Sequence, residues 1–151
     1  MTWEEGMQKM KNFCAYQPRC CSEAREKLRS LELGESARQE ILEQLIKENH
    51  LSEERYASSF SRGRFRIKKW GRIKIKYALM QKQVNPKAIE QALGEIEDTV
   101  YLKTLKKLAV EKFQMLKSEK NGFLRKKKTT EYLMQKGYEP RLINKLLVSL
   151  K

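Results

Sequence analysis

The stretch that decides the fold is residues 78–93, ALMQKQVNPKAIEQAL, because residues 132–147 repeat it as YLMQKGYEPRLINKLL. The two stretches align without a gap at a constant offset of 54 residues. Leu, Met, Gln, Lys, Pro, Ile and Leu recur at equivalent positions. Self-similarity at a fixed period is typical of a chain built from copies of one supersecondary unit. Such proteins usually act through an extended surface, so the repeat favours a binding protein over an enzyme.

Each copy carries the signals of two helices. Asn85-Pro86 and Glu139-Pro140 place a proline at the first helical position, where its missing N–H costs no hydrogen bond. Apolar residues recur at spacings of three and four, and strand patterns are missing apart from a brief alternation within 64–76. The pattern therefore predicts an all-α protein. The predicted helices are residues 3–16, 22–33, 37–49, 53–68, 71–83, 86–96, 98–119, 122–136 and 140–150.

These helices group into three three-helix repeats, at residues 1–50, 51–97 and 98–151. A module of about 50 residues holds only a marginal core by itself. We therefore expect stacked copies that share apolar surface and form an elongated, curved body. In the helix predicted at 71–83, we expect Ile73, Tyr77 and Met80 to form the apolar stripe.

The charge of the chain is strongly positive and unevenly distributed. Its 151 residues include 33 Lys and Arg against 19 Asp and Glu, a net charge of +14. Residues 1–50 carry 8 basic and 9 acidic groups (−1), residues 51–100 carry 11 and 6 (+5), and residues 101–151 carry 14 and 4 (+10). This gradient points to an anionic partner for the middle and C-terminal parts. The alternative is a charged surface that is merely solvated.

Other classes of protein find little support in the residues. No apolar run approaches the roughly 18–20 residues of a membrane span, and the N-terminus lacks a signal-peptide core, so we expect a cytoplasmic protein with no membrane partner. Cys14, Cys20, Cys21 and His50 lack zinc-ligand spacing. We expect no metal, no cofactor and reduced thiols, with a redox role for vicinal Cys20-Cys21 as the alternative. No nucleophile–base pair or phosphate-loop motif is present, so we expect a non-enzyme, and a monomer.

The densest basic cluster is residues 62–76, which hold eight cations and no acid. Because Arg offers forked hydrogen bonds to phosphates and Lys a point charge, the segment predicts phosphate contacts. Three aromatic residues are interleaved with it. We interpret Phe65 and Tyr77 as core residues, while Trp70, before Gly71 at a helix junction, either packs in the core or stacks on a base.

A second cluster, Arg125, Lys126, Lys127 and Lys128, lies on the equivalent helix of the next repeat and would extend the same surface. Two basic patches at equivalent repeat positions are more specific than one. The predicted nucleic-acid or filament-binding residues are Arg62, Arg64, Arg66, Lys68, Lys69, Trp70, Arg72, Lys74, Lys76, Lys126, Lys127 and Lys128.

These residues resemble the signature of the RecX family, bacterial regulators of the RecA recombinase. The resemblance covers essentially the whole chain and is strongest over 52–94. One departure is Gln83, where the family usually has Gly, whereas Gly137 keeps it. The matching residues are Arg55-Tyr56-Ala57-Ser58-Ser59-Phe60, Arg64-Phe65, Lys69-Trp70-Gly71, Lys74-Ile75, Leu79 and Lys82.

The resemblance implies tandem three-helix repeats, no catalysis, and binding to RecA filaments and to DNA, single-stranded and possibly double-stranded. It would make the chain a regulator of homologous recombination, DNA repair and the SOS response. Two alternatives remain from the residues alone. One is a stand-alone helical nucleic-acid-binding module, and the other is a scaffold whose basic face binds an acidic protein.

Overall fold

Nine helices and no strands make up residues 1–150, the part of the chain that this computed structural model describes. The all-α prediction is confirmed, and every predicted helix is present. The predicted helices differ mainly at their C-terminal ends, where several run too long. Within residues 1–150, no helix combines the length and the apolar character needed to cross a bilayer. The helices are α1 (Trp3–Tyr16), α2 (Cys21–Arg29), α3 (Glu35–Lys47), α4 (Glu53–Arg66), α5 (Arg72–Gln81), α6 (Pro86–Gly94), α7 (Asp98–Met115), α8 (Gly122–Gln135) and α9 (Pro140–Leu147).

The repeated stretches form the same turn between two helices. In the first copy, the amide of Val84 donates to the carbonyl of Leu79 at 3.2 Å. In the second copy, the amide of Tyr138 donates to the carbonyl of Leu133 at 3.1 Å. All four side chains are buried. The sequence repeat therefore corresponds to a repeat of backbone hydrogen bonding and of burial.

Helix starts and turn conformations also agree between the copies. Pro86 and Pro140 are the first residues of α6 and α9, as predicted. Gln83 and Gly137 occupy equivalent turn positions with φ of 58° and 98°, so both lie in the left-handed region. The turn that usually takes a glycine is thus retained at Gln83, although a side chain there is strained.

The chain divides into two compact units, and the first contains residues 1–60 and 79–92. Within it, the carboxylate of Glu53 accepts hydrogen bonds from the amides of Cys21 at 3.2 Å and Asn85 at 3.3 Å. One carboxylate therefore serves the beginnings of α2 and α6, where helix dipoles favour negative charge. A core cluster of this unit is Met7, Met10, Cys14, Ala24, Leu28, Ile41, Leu42, Leu45 and Leu51.

The second unit contains residues 61–78 and the chain from Leu93 on. Its core is built around aromatic rings. Phe65 is buried, as predicted, with its ring centroid 5.8 Å from that of Tyr101. The Tyr101 centroid lies 5.2 Å from that of Tyr138. The boundaries of the three sequence repeats stay a prediction.

The predicted stripe of α5 is wrong. Ile73, Tyr77 and Met80 are exposed, at 49%, 64% and 55%, whereas Ile75 and Leu79 are fully buried. Each of the two sets has the spacing of one helix face, so periodicity alone could not tell which face is buried. An apolar helix face left in solvent, opposite to a second apolar face that is buried, marks α5 as unusual among surface helices.

Candidate nucleic-acid interface

The basic segment, residues 62–76, lies wholly in the second unit and spans the end of α4, a tight turn and the beginning of α5. The turn closes on the end of α4. The Lys69 amide donates to the Phe65 carbonyl at 3.0 Å, and the Trp70 amide donates to the Arg64 carbonyl at 3.1 Å. Lys69 itself has φ of 59°, in the left-handed region that ends many helices. The chain therefore leaves α4 along a defined path.

The backbone at the beginning of α5 is bonded to the junction of α8 and α9. The Gly71 amide donates to the Lys136 carbonyl at 2.7 Å, and the Ile73 amide donates to the Gly137 carbonyl at 3.0 Å. The first amides of a helix normally lack partners and are ready to bind an anion. Here protein groups already occupy these two amides, so side chains must supply most of the contacts to a phosphate.

The amide between those two is held by a buried tyrosine. The Arg72 amide donates to the Tyr101 hydroxyl at 2.9 Å, and that hydroxyl donates in turn to the Glu139 carboxylate. Burial, followed by the hydrogen bond to Glu139, raises the pKa of Tyr101 well above its ordinary value. The tyrosine is therefore neutral at physiological pH and links the beginning of α5 to the beginning of α9.

The side chain of Arg72, a predicted binding residue, is engaged inside the protein. Its Nη2 donates to the Ile96 carbonyl and to the Asp98 carboxylate, both at 2.8 Å. Its Cζ lies 4.0 Å from the centroid of the Tyr101 ring, and only 22% of the side chain is exposed. Arg72 therefore anchors α5 and is not a free cation of the surface.

The carbonyls of the turn are also bonded. The Tyr138 hydroxyl donates to the Lys69 carbonyl at 2.8 Å, and Lys136 Nζ donates to the Lys68 carbonyl at 3.1 Å. Burial, followed by the charge of Glu139, raises the pKa of Tyr138. Both the amides and the carbonyls of the turn form hydrogen bonds with the protein. The exposed lysine side chains therefore project from a backbone that is held in place.

Five cations of the segment remain available to a ligand. Arg62, Arg66, Lys68, Lys69 and Lys76 are exposed. None of them forms an ion pair within residues 1–150, and Lys69 Nζ donates to the Arg66 carbonyl at 2.8 Å. A group of exposed cations without acidic partners is suited to an anionic surface.

The remaining cations of the segment lie against Trp70. The Arg64 Cζ is 5.4 Å from the centroid of the Trp70 ring, and the Lys74 Nζ is 4.5 Å from it. Both distances are within the range of cation–π attraction. The indole is half-buried. This arrangement favours packing for Trp70 over stacking on a base.

The second cluster lies on α8, away from the turn. Lys126 is half-buried and Lys127 is exposed, while Lys128 Nζ pairs with the Glu119 carboxylate at 3.1 Å. That hydrogen bond lowers the pKa of Glu119. At about 1.5 Å per residue, the cluster lies roughly 12–15 Å along the helix from Lys136, which contacts the turn. Arg125 donates to the Phe113 carbonyl from Nε at 2.9 Å and from Nη2 at 2.7 Å, and Lys128 is partly neutralised by Glu119. The second cluster therefore offers fewer free cations than its sequence suggests.

The residues that position the segment were missed from the sequence. Tyr101, Tyr138 and Lys136 contact it, and Glu139 acts on it through the Tyr101 hydroxyl. None of the four was among the predicted binding residues. One signal was available. The repeat retains Gly137 where the preceding copy has Gln83, which indicates a close backbone approach at the second copy.

The fold and this segment define a class: a helical-repeat protein that presents a rigidly held, positively charged surface. Residues 1–150 include no group of three or more His, Cys, Asp or Glu side chains that could hold a metal ion. Two family models match the chain, RecX second three-helix domain at residues 52–93 and RecX third three-helix domain at residues 99–147. The chain belongs to the RecX family.

Curated relatives agree with the family models. A protein named Regulatory protein RecX from Clostridium acetobutylicum is 31% identical over 119 residues, covering 77% of this chain and 55% of that protein. One of the same name from Streptococcus uberis is 28% identical over 131 residues, covering 87% and 50%. This chain thus spans about half the length of the curated relatives it matches.

Solved structures show the same fold. The crystal structure of RecX from Lactobacillus salivarius matches with a TM-score of 0.89 at 25% identity, covering 98% of this chain and 96% of that one. A second crystal structure, of regulatory protein RecX, matches with a TM-score of 0.86 at 23% identity, covering 97% and 72%. The predicted helical-repeat fold and the family resemblance are both confirmed.

Proposed function

We propose that this chain is a non-enzymatic regulator of a RecA recombinase. In this proposal it binds RecA–single-stranded DNA filaments and modulates homologous recombination and DNA repair. The observation that carries the proposal is the basic turn, whose exposed cations Arg66, Lys68 and Lys69 have no acidic partners among the described residues. Hydrogen bonds to its amides and carbonyls hold its backbone in place. The relatives bear the name of regulatory proteins, which supports a role in control.

The physical basis of binding is electrostatic attraction to an anionic surface. Exposed cations near DNA phosphates release counterions on binding and speed association. Holding the turn in place before binding reduces the conformational entropy lost on complex formation. The fixed backbone of the turn therefore contributes to affinity even though it makes no contact with the ligand itself.

Arg72 and Lys128 have other roles in this proposal. Arg72 forms hydrogen bonds with Asp98 and with the Ile96 carbonyl, so it stabilises the turn and the beginning of α5, from which the exposed cations project. Lys128 is paired with Glu119 and contributes less positive field than an unpaired lysine. We therefore place the binding surface mainly on the end of α4 and the turn, and treat the α8 cluster as secondary.

A pull-down tests the proposal and separates its alternatives. The chain is applied to immobilised RecA alone, to immobilised single-stranded DNA alone, and to RecA filaments assembled on the immobilised DNA. Retention on the filament above the level seen with either component alone supports a filament regulator. Equal retention on bare DNA and on filaments indicates a stand-alone nucleic-acid-binding module. Retention on RecA without DNA indicates a scaffold for an acidic protein, and no retention in any mixture contradicts the proposal.

A further inference from the structure

We propose that Tyr77, supported by Ile73, is a stacking platform for an unpaired nucleobase, so that the basic segment prefers single-stranded over double-stranded nucleic acid. This inference rests on the proposed function, because it assumes that the segment binds nucleic acid. It adds a named residue and a strand preference, neither of which follows from charge alone.

The geometry of α5 places these residues together in solvent. Ile73, Lys76 and Tyr77 stand at spacings of three and four, so they share one face of the helix, and all three are exposed. The face opposite to them is the buried one, which holds Ile75. An aromatic ring, an aliphatic side chain and an ammonium group thus lie side by side on a helix whose other side fixes it to the protein.

Tyr77 differs from the tyrosines that serve the fold. Tyr101 and Tyr138 are buried and donate hydrogen bonds, and Tyr132 has Lys112 Nζ 4.9 Å from its ring centroid. Within residues 1–150, the Tyr77 ring contacts no other ring and no cation, and its hydroxyl makes no hydrogen bond. No ring contact, cation–π contact or hydrogen bond in the described part of the chain accounts for a tyrosine at this position.

The charge around the exposed face of α5 indicates which kind of ligand binds there. Five of the eight cations in residues 62–76 are exposed without an acidic partner in the described chain, and one of the five, Lys76, precedes Tyr77 directly. The ligand must therefore combine negative charge with an apolar, flat group that covers an aromatic ring. A single-stranded nucleic acid has both, because its phosphates meet the cations and its bases are free to stack. In a duplex the bases are already stacked on one another, so a ring on a helix surface gains little.

The structure favours Tyr77 over Trp70 for this role. Trp70 is half-buried, with Arg64 and Lys74 against its ring. A base that stacked on Trp70 would have to displace those cations, whereas the Tyr77 ring is open. The sequence left Trp70 open between packing and stacking and placed Tyr77 in the core, and the exposure of Tyr77 contradicts that placement.

Binding of three probes to the full chain tests the inference. The probes are an oligothymidylate, an abasic oligonucleotide of the same length and charge, and a duplex of the same length, at a fixed low salt concentration. The variants are Tyr77→Leu, which keeps apolar bulk but cannot stack, and Tyr77→Phe, which keeps the ring. Both substitutions are on the surface, so the melting temperatures of the variants should stay near that of the wild type.

Stacking predicts a specific pattern. Tyr77→Leu should weaken oligothymidylate binding by about 5- to 150-fold, the usual effect of removing one aromatic platform. Tyr77→Phe should bind like the wild type, and abasic DNA should bind both variants and the wild type equally weakly. The dependence of affinity on salt should not change in Tyr77→Leu, because no phosphate contact is lost. Equal binding of normal and abasic strands by the wild type would overturn the inference.

An Arg66→Gln variant keeps the inference distinct from the proposed function. If Arg66→Gln weakens all three probes and lowers the salt dependence while Tyr77→Leu changes nothing, nucleic-acid binding stands and the stacking platform is refuted. If neither variant changes binding of any probe, the stacking platform is refuted, and the proposed filament regulator is decided separately by retention of the chain on RecA filaments. Should Tyr77→Leu weaken capture of RecA protein but not of DNA, the face docks protein, which also overturns the stacking assignment.

Discussion

The backbone of Gly71 lies directly against the backbone of Gly137, and neither position has room for a β-carbon. A β-carbon on Gly71 would overlap the Gly137 carbonyl group, and one on Gly137 would overlap Lys74. Gly137 also has φ of 98°, which disfavours any other residue. This contact allows the hydrogen bonds that fix the basic turn to the α8–α9 junction. The position of the turn in the proposed interface therefore depends on two glycines.

Replacing Gly71 with Ala should therefore destabilise the protein. The added methyl group must push the two backbones apart, and overpacking of this kind typically costs about 1–3 kcal/mol. The measurement is a thermal or denaturant melt. The matched control is Gly63→Ala in α4, where a β-carbon would meet nothing within 4 Å. That change should be neutral or stabilising, since alanine favours a helix interior by roughly 0.5–1 kcal/mol. Equal melts for both variants would show that the glycine contact is unimportant.

The buried tyrosines predict a loss of stability in alkali. Burial raises the pKa values of Tyr101 and Tyr138 above that of an unfolded tyrosine, which is about 10. As pH rises above about 10, the unfolded chain releases these protons while the folded chain retains them. The unfolded state then binds fewer protons, so the free energy of unfolding falls with rising pH. Denaturant melts between about pH 9 and 11 measure this fall.

Tyr101→Phe is the control for the alkaline effect. The variant should be less stable at neutral pH by about 1–3 kcal/mol, because the Arg72 amide and the Glu139 carboxylate lose a buried partner. It should nevertheless lose less stability between neutral and alkaline pH than the wild type does. Parallel pH curves for the two proteins would mean that Tyr101 does not ionise on unfolding as we infer.

The same substitution at two arginines of the segment should affect different properties, stability at Arg72 and DNA binding at Arg66. Arg72→Gln removes the ion pair with Asp98 and the hydrogen bond to the Ile96 carbonyl, so we expect a loss of about 1–3 kcal/mol of stability. Arg66→Gln lies on the surface and should change stability by no more than about 0.5 kcal/mol. It should weaken DNA binding instead. An Arg66→Gln protein that melts early while Arg72→Gln does not would reverse our assignment of the two residues.

The turn at Gln83 offers a test of backbone strain. Its φ of 58° places a side chain in the left-handed region, which costs roughly 1–2 kcal/mol relative to glycine. Gln83→Gly should therefore raise the melting temperature. Gln91→Gly, on the exposed surface of α6, is the control and should lower stability by about 1 kcal/mol, because glycine disfavours a helix interior. A Gln83→Gly protein that melts below the wild type would contradict the strain argument.

The sequence predicted the helices well because their signals are local. Pro86 and Pro140 mark helix starts whatever their surroundings, and the 54-residue repeat identifies equivalent turns. The buried face of α5 was not predictable in this way. Ile73 and Tyr77 have helical spacing, and so do Ile75 and Leu79, so only the packing of distant residues decides which pair is buried.

The site was predictable as a region but not residue by residue. The density of cations identified residues 62–76, yet the partners that distinguish Arg72 from Arg66 are distant in sequence. Asp98 lies 26 residues after Arg72, and the Tyr138 hydroxyl bonds a carbonyl 69 residues before it. Such long-range pairs leave no periodic trace in the sequence. Charge composition therefore overestimated how many cations are free.

The reduced number of free cations predicts the salt dependence of DNA binding. For five exposed cations contacting a single strand, the slope of log affinity against log salt should be about −3.5. Raising salt from 50 to 200 mM should then weaken binding roughly a hundredfold. A flat response would mean that these cations are only solvated. The five residues are Arg62, Arg66, Lys68, Lys69 and Lys76.

The most direct test of the proposed regulation is the rate of ATP hydrolysis by RecA filaments on single-stranded DNA, with the chain titrated in. The wild-type chain should change the rate in a saturable way. A triple variant, Arg62→Glu, Arg66→Glu and Lys68→Glu, should melt like the wild type but change the rate only at much higher concentration, because reversed charges repel the filament. An unchanged rate with saturating wild-type chain, or full activity of the triple variant at wild-type concentrations, would contradict the account.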